Sequence, residues 1–273
     1  MTTTEQLMGW ALELAGMREI PPDSAIHVPG SGIRRILAGI DMGVAELHLA
    51  SRRGYDCVLA HHPQPAVLTF PAMVNRHIDL MTAAGVPAEV AVTAVAAIRE
   101  PLELRYQSGN YDHAPSFARL LDLPYLNIHN PLDEIGRRRM QEAVDAHVRP
   151  DAPLSAVGDA LLTIPEFQRA PTRPVIAMGD PDSPSGRVVV VHGAGTNGGY
   201  HVARAYFAHG VDTLVYLHCD YGNLTRLRAE GRGNLVLAGH IAADVAGIEP
   251  YLQDLERRGL DIIRTSGLCG ESC

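Results

Sequence analysis

Residues 60–63, Ala-His-His-Pro, place two adjacent imidazoles, His61 and His62, directly after the apolar run Cys57–Ala60. A short apolar run bounded by turn-forming residues is typical of a buried strand. Open α/β folds bind their ligands beyond the carboxyl ends of parallel strands. Because imidazole is the commonest metal ligand among side chains, the pair is a candidate metal site. The alternative is a strand that merely ends in two polar residues.

A second histidine, His129, follows the apolar segment Tyr125–Ile128 and precedes Asp133 by four residues. Pro131 favours an extended conformation at Asn130, which predicts that His129 and Asp133 do not share one helix. Asp133 is expected to open the helix that follows. A carboxylate there also caps free backbone N–H groups, so capping alone is a second interpretation of Asp133.

The third group is His240 and Asp244, which follow the apolar run Leu235–Ala238 and Gly239. Residues i and i+4 lie on one face of a helix, and metal sites use this spacing because the two donors converge. The alternative is an exposed histidine with an aspartate that complements the helix dipole. Three strand ends that offer imidazole and carboxylate together indicate a shared site more strongly than any one of them.

A competing pattern is the glycine-rich segment Gly193–Gly198, which follows the predicted strand Val188–Val191 and precedes a helix. This context fits a dinucleotide-binding turn and would make the protein an NAD-dependent oxidoreductase. A tight strand-to-helix turn that needs glycine for its geometry is the alternative. His192 and His218 lie near predicted strand ends in the same half and are further candidates for lining a site.

The alternation of strand-like and helical segments predicts an α/β fold. A helix over Val44–Arg53 between the strands Ile36–Ile40 and Cys57–Ala60 forms one βαβ unit. The later strands are predicted at Val188–Val191, Leu214–Leu217, Leu235–Ala238 and Ile262–Ile263. We expect two interlinked βαβ-rich lobes, 1–135 with about 238–273 and about 136–237, and a metal crevice between them or at the carboxyl ends of strands.

The net charge of −8 argues against general nucleic-acid binding, and the absence of lysine excludes Schiff-base and P-loop-lysine chemistry. The sequence has no apolar stretch long enough to cross a bilayer and no signal-peptide pattern at Met1. We therefore expect a cytoplasmic protein without a membrane partner. Cys269 and Cys273 lie in a polar C-terminal tail, where they could supply thiolate ligands to a metal or form a disulfide.

The three histidine motifs, taken in order, resemble those of the Nif-three-like dinuclear metal-centre proteins, often labelled GTP cyclohydrolase I type II homologues. The matching motifs are Ala-His-His-Pro, His-x-x-x-Asp and Gly-His-x-x-x-Asp. Their order spans almost the whole chain, and the resemblance is weak over about 64–110 and 141–184. The chain departs from the family at Asp244, where glutamate is usual, and at Pro131, where a flexible polar residue is more common.

The resemblance implies a homohexamer in which each chain binds two metal ions. The ligands that it implies are His61, His62, Asp133, His240 and Asp244; His129 belongs to the motif without being assigned as a direct ligand. Mixed histidine and carboxylate ligation suits Zn²⁺, Fe²⁺ or Mn²⁺. No Ser–His or Cys–His nucleophile motif stands out, so metal-bound water is the expected nucleophile.

The main hypothesis is a metal-dependent hydrolase acting on a nucleotide or another phosphate-containing small molecule. A non-catalytic metal-binding or scaffold protein is the second hypothesis, and the NAD-dependent oxidoreductase is the third.

Overall fold

A computed structural model describes residues 1–63 and 70–268. They separate into two units, of which the first comprises the described residues within Met1–Pro71, Leu104–Ile135 and Gly247–Cys273. The second comprises Ala72–Glu103 and Gly136–Ala246. The lobe boundaries expected from the sequence remain a prediction. Cys269 and Cys273 lie outside the described residues.

Strands and helices are interspersed along the chain. Up to residue 127 they are β1 (Thr2–Thr3), α1 (Thr4–Ala15), β2 (Ala25–Val28), β3 (Ser31–Ile33), β4 (Arg35–Gly39), α2 (Val44–Arg53), β5 (Cys57–Ala60), α3 (Phe70–Met73), α4 (Arg76–Ala83), α5 (Ala88–Tyr106), α6 (His113–Leu120) and β6 (Tyr125–Asn127). After it they are α7 (Asn130–His147), α8 (Ser155–Leu161), α9 (Pro165–Arg169), β7 (Val175–Met178), β8 (Val188–Val190), α10 (Gly199–Ala208), β9 (Thr213–Tyr216), α11 (Tyr221–Glu230), β10 (Asn234–Leu237), α12 (His240–Arg257) and β11 (Asp261–Thr265).

The first unit is built on a sheet with the strand order β11-β4-β5-β6-β2. The strands β11, β4, β5 and β6 run parallel, and β2 pairs with β6 in the antiparallel direction. All four residues of the strand β5 are apolar, and all four are buried. Leu47 and Ala50 of α2 and Ala114 and Ala118 of α6 belong to the core cluster that contains residues of β4, β5 and β6.

The second unit contains a sheet with the order β7-β10-β9-β8, in which β10, β9 and β8 are parallel and β7 is antiparallel. The parallel strands were expected from their apolar runs. The edge strands β2 and β7 were not, since their residues are mostly half-buried and show no clear alternation. Together the two sheets and their helices confirm the α/β class.

The start of α7 differs from the expectation based on Pro131. The helix begins at Asn130, and the backbone N–H groups of Leu132 and Asp133 both donate to the carbonyl oxygen of His129. Proline is tolerated in the first turn of a helix, where its missing N–H group would have no partner within the helix. The expectation that Pro131 keeps Asn130 extended was therefore wrong. His129 itself precedes the helix, so it does not share α7 with Asp133, as predicted.

Within the described residues, no helix is both long enough and apolar enough to span a lipid bilayer.

Candidate metal centre

The register of the first sheet brings Asp41 opposite His62. The strands β4 and β5 are parallel and pair Gly39 with Ala60. Asp41 and His62 each lie two positions after that pair. The Nδ1 atom of His62 lies 2.7 Å from the carboxylate oxygen Oδ1 of Asp41. Because the carboxylate accepts, Nδ1–H donates, and the Nε2 atom of His62 carries the ring's lone pair.

His61 is fully buried and is oriented by the neighbouring strand. Its Nδ1–H group donates to the carbonyl oxygen of Ile128, which follows β6, at 3.0 Å. Its Nε2 atom lies 3.2 Å from Oδ1 of Asp133. Asp133 is itself buried in the first turn of α7, so the helix start delivers a carboxylate to an imidazole nitrogen.

His129 is held by Asp23 in the same manner. The strands β2 and β6 are antiparallel and pair Ala25 with Asn127, so Asp23 and His129 are equally far beyond that pair. The Nδ1 atom of His129 lies 2.7 Å from Oδ2 of Asp23, and its Nε2 atom lies 3.7 Å from Oδ2 of Asp133. Asp23 is buried, so its contact with this ring is shielded from solvent.

We call His61, His62, His129 and Asp133 the strand-end cluster. One ligand atom from each of the three histidines lies within 4.8 Å of the others. Neighbouring donors of a tetrahedral ion at metal–ligand distances of about 2.1 Å are about 3.4 Å apart. The separation of 3.2 Å between His61 and Asp133 fits that value. The cluster therefore has the donor types and the spacing to hold a metal ion.

The second unit contains the other predicted pair. His240 and Asp244 lie in the first turns of α12, and Nε2 of His240 is 3.3 Å from Oδ2 of Asp244. Asp244 is buried, whereas the His240 side chain is 40% exposed. This separation also fits two neighbouring donors of one ion. The predicted helical spacing of the pair is confirmed.

His218 and His192 also lie beyond strand ends of the second sheet. The ring centroid of His218, after β9, is 5.0 Å from that of His240. His192 follows β8 and is buried. The register of β9 and β10 pairs Tyr216 with Leu237, which brings the residues after both strands to the same edge.

Backbone donors at the end of the glycine-rich segment and at the start of α10 already have partners. The N–H group of Gly198 donates to the Thr196 hydroxyl, and the N–H group of Tyr200, in the first turn of α10, donates to Oδ1 of Asn223. Gly198 and Gly199 have φ angles of +80° and +59°, which favour glycine. These contacts favour the structural interpretation of Gly193–Gly198 over a pyrophosphate-binding turn.

Two carboxylates in this region were not predicted as functional residues. Asp41 could have been identified, since it follows the strand that neighbours the one ending in His61 and His62. Asp23 carries no local signal, because its contact with His129 depends on the pairing of β2 with β6 across 106 residues.

Comparisons with solved structures find similarity along almost the whole chain. A NIF3 superfamily protein from Sphaerobacter thermophilus is 50% identical, with a TM-score of 0.92 over 97% of this chain and 98% of that chain. Reduced HcgD from Methanocaldococcus jannaschii is 14% identical, with a TM-score of 0.58 over 96% and 97% of the two chains. The protein ybgI, of unknown function, is 17% identical, with a TM-score of 0.53 over 96% of each chain. The last two similarities concern the fold alone.

No protein-family model matches the chain, and no curated protein matches it.

Proposed function

The chain belongs to the NIF3 superfamily, and from that premise we propose that it binds two divalent metal ions and hydrolyses a small phosphate-containing molecule. The proposed metal ligands are His61, His62, Asp133, His240 and Asp244. That the two groups of ligands serve the same pair of ions rests on the order of the motifs in the sequence and on the family resemblance. Each group by itself has the donor spacing that one ion requires.

The observation that carries the proposal is the orientation of the three histidines in the strand-end cluster. Each ring has its Nδ1 atom beside an oxygen that can only accept: Ile128 O for His61, Asp41 for His62 and Asp23 for His129. Metal-binding histidines in proteins are oriented in this way, with the second nitrogen donating to a carboxylate or a carbonyl group. A strand end without a ligand has no need of three such contacts.

The donor set also limits the metal. Imidazole and carboxylate together suit Zn²⁺, Fe²⁺ or Mn²⁺, whereas Mg²⁺ and Ca²⁺ favour oxygen ligands. Two such ions lower the pKa of bound water and stabilise the charge that develops on a phosphoryl oxygen. We assign His129, His192 and His218 to the lining of the site, where they would orient the substrate. A nucleotide is the substrate class that the family resemblance favours.

Metal analysis of the purified protein tests the binding proposal. A His61→Ala, His62→Ala double variant should lose most of the bound metal, because it removes two of the five ligands. The matched control is a His48→Ala, His113→Ala double variant, in which both replaced side chains are exposed. Equal metal content in the wild type and the His61, His62 variant would refute the proposal. Unchanged metal content in a His240→Ala, Asp244→Ala variant would exclude the second pair from the site.

Activity is tested separately with a panel of nucleoside triphosphates, monophosphates and sugar phosphates. Turnover that requires both the metal and His61 would support the hydrolase. Metal retained without turnover on any member of the panel would favour the scaffold hypothesis. Titration with NADH, followed by the fluorescence of its reduced nicotinamide ring, checks the oxidoreductase hypothesis, and we expect no binding.

The hexamer implied by the resemblance is part of the same proposal. Light scattering coupled to size-exclusion chromatography should give a mass of six chains of 29.4 kDa. A mass of one chain at the concentration used for metal analysis would contradict it.

A further inference from the structure

One face of α7 carries polar side chains at helical spacing that the metal proposal does not use. Arg137, Gln141 and Asp145 follow one another at intervals of four residues, which places them along one side of the helix. All three line a cavity of about 500 Å³. This volume lies in the range of small-molecule sites, about 300–1,000 Å³. We call it the α7 cavity.

Of the residues that the structure describes, those that line the α7 cavity all belong to the second unit. Its walls come from Leu80 and Ala84 of the α4 region, Val144 of α7, the β8 strand and Tyr206 of α10. The apolar walls and the few polar groups are the combination that small-ligand sites usually show. The cavity shares no lining residue with the strand-end cluster or with His240 and Asp244.

Gln141 closes the exposed edge of β8. Its Nε2 atom donates to the carbonyl oxygen of Val188 at 3.3 Å, and its Oε1 atom accepts from the N–H group of Val190 at 2.9 Å. Strand edges with unused groups attract another strand, and this side chain satisfies both groups at that place. An added β-strand is therefore a poor occupant, and a small molecule is a better one.

The charges on the cavity wall favour an anion. Two of the lining residues are arginines, Arg137 and Arg187, and one, Asp145, is acidic. Asp145 already accepts a hydrogen bond of 2.9 Å from Nε2 of Gln141. The Nη1 atom of Arg187 lies near Gly85, 3.9 Å from the position that a Cβ atom would take there. Guanidinium groups match the geometry of carboxylate and phosphate groups.

Tyr206 adds a buried polar group to the same cavity. Its ring is fully buried, and its hydroxyl has no hydrogen-bond partner among the described residues. Burial raises the pKa of Tyr206, so the hydroxyl keeps its proton and can act as a donor, and the charge of Arg137 opposes this rise. A buried donor without a partner costs stability, which a ligand that accepts from it would restore.

We propose that the α7 cavity binds a small anion whose carboxylate or phosphate group is held by Arg137 and Arg187 and accepts a hydrogen bond from Tyr206. The ligand would be a metabolite-sized molecule with an apolar portion against Leu80, Ala84 and Val144. The site is separate from the metal ligands, so it does not depend on the proposed hydrolase.

Calorimetric titration with inorganic phosphate and with citrate tests the proposal and distinguishes phosphate from carboxylate recognition. The wild type should bind one of the two probes saturably. An Arg187→Gln variant should bind it about tenfold more weakly, which is the effect of losing one charge-assisted contact. A Tyr206→Phe variant should also bind more weakly while unfolding at the same or a higher temperature, because it loses only a hydroxyl without a partner.

Two controls make the result decisive. Arg52→Gln removes an exposed arginine of the first unit and should leave the affinity unchanged. The His61→Ala, His62→Ala variant should also bind the probe normally, because the α7 cavity contains no proposed metal ligand. Binding that disappears in that variant would place the probe on the metal ions and overturn the proposal. The absence of saturable binding by either probe, or equal affinity in Arg187→Gln and the wild type, would overturn it as well.

Discussion

Each histidine of the strand-end cluster has one ring nitrogen committed to an oxygen atom of the same unit. Asp41, Asp23 and the Ile128 carbonyl group fix which nitrogen faces Asp133 or the ligand. Without them each ring would sample two tautomers and more than one rotamer, and binding a metal would have to select one arrangement. The oxygens therefore prepare the site before the metal arrives.

At this scale the first prediction concerns Asp41. Replacing it with alanine should lower metal affinity by about 10–100-fold, the usual effect of losing such a partner. Asp41→Asn should be milder, because the amide oxygen still accepts from Nδ1–H of His62. The backbone should keep its position in both variants, since Ser266 holds both the N–H and the C=O group of this residue.

Competition with a chromophoric chelator measures the effect. Asp151→Ala is the matched control, because Asp151 is exposed and pairs with Arg149 at the surface. Equal affinities in wild type, Asp41→Asn and Asp41→Ala would show that His62 needs no such orientation.

The second prediction concerns Asp244, which stands where the family usually has glutamate. Asp244→Glu should hold or raise the metal content, because one more methylene group extends the carboxylate toward a second ion. Asp244→Asn keeps the size and removes the charge, so it should lower the content. Metal analysis of the three proteins compares them directly. A clear fall in Asp244→Glu would mean that the bridging arrangement of the family does not apply here.

At the scale of elements, the bounds of a helix or strand were predicted correctly where the local sequence pattern was strong. Elements with a weak local pattern were not predicted. The helix over Val44–Arg53 and the strand over Cys57–Ala60 lie where the sequence predicted them. The helix has a glycine at each end and the strand is a continuous apolar run, so local sequence suffices. The edge strands β2 and β7 depend on partners far along the chain. The expectation drawn from Pro131 was wrong for Asn130. Proline disfavours a helical conformation at the residue before it, but the first turn of a helix accepts proline and α7 begins at Asn130.

The junction between β10 and α12 permits a test of backbone strain. Gly239 has a φ angle of +100°, and a Cβ atom there would lie 2.9 Å from Oγ1 of Thr172. Gly239→Ala should therefore lower the free energy of unfolding by about 1–3 kcal/mol. Because His240 follows directly, the same change should also weaken metal binding.

The control for Gly239→Ala is the same substitution at Gly9, where we expect the opposite effect on stability. Gly9 lies inside α1, and a Cβ atom there would meet nothing within 4 Å. Gly9→Ala should raise the free energy of unfolding by about 0.5–1 kcal/mol, since alanine favours helix more than glycine does. Urea denaturation measures both variants. Equal effects at the two positions would contradict the strain at Gly239.

For the whole molecule, buried His77 predicts how stability depends on pH. Burial lowers the pKa of His77 from 6.5 to about 4, although Thr196 lies at hydrogen-bond distance from its Nε2 atom. Between these values the unfolded chain binds a proton that the folded protein does not. Stability should therefore fall as the pH drops from 6.5 to about 4, by up to about 3 kcal/mol.

Urea denaturation at pH 7.5 and pH 5, with a chelator to remove the contribution of metals, measures this loss. A His77→Gln variant should lose less stability between the two pH values than the wild type. His48→Gln replaces an exposed histidine and should behave as the wild type does. An equal loss in His77→Gln and the wild type would show that His77 does not set the pH dependence.

The sequence by itself determined the α/β class, the parallel strands and the types of the candidate metal ligands. Apolar runs and the residues that follow them are local properties of the chain, so they can be identified without a partner strand. Only the tertiary structure decided which oxygens orient the histidines, because sheet register brings Asp23 to His129 and Asp41 to His62. It also decided that Arg137 and Arg187 line one cavity, since packing joins α7 to the edge strand β8.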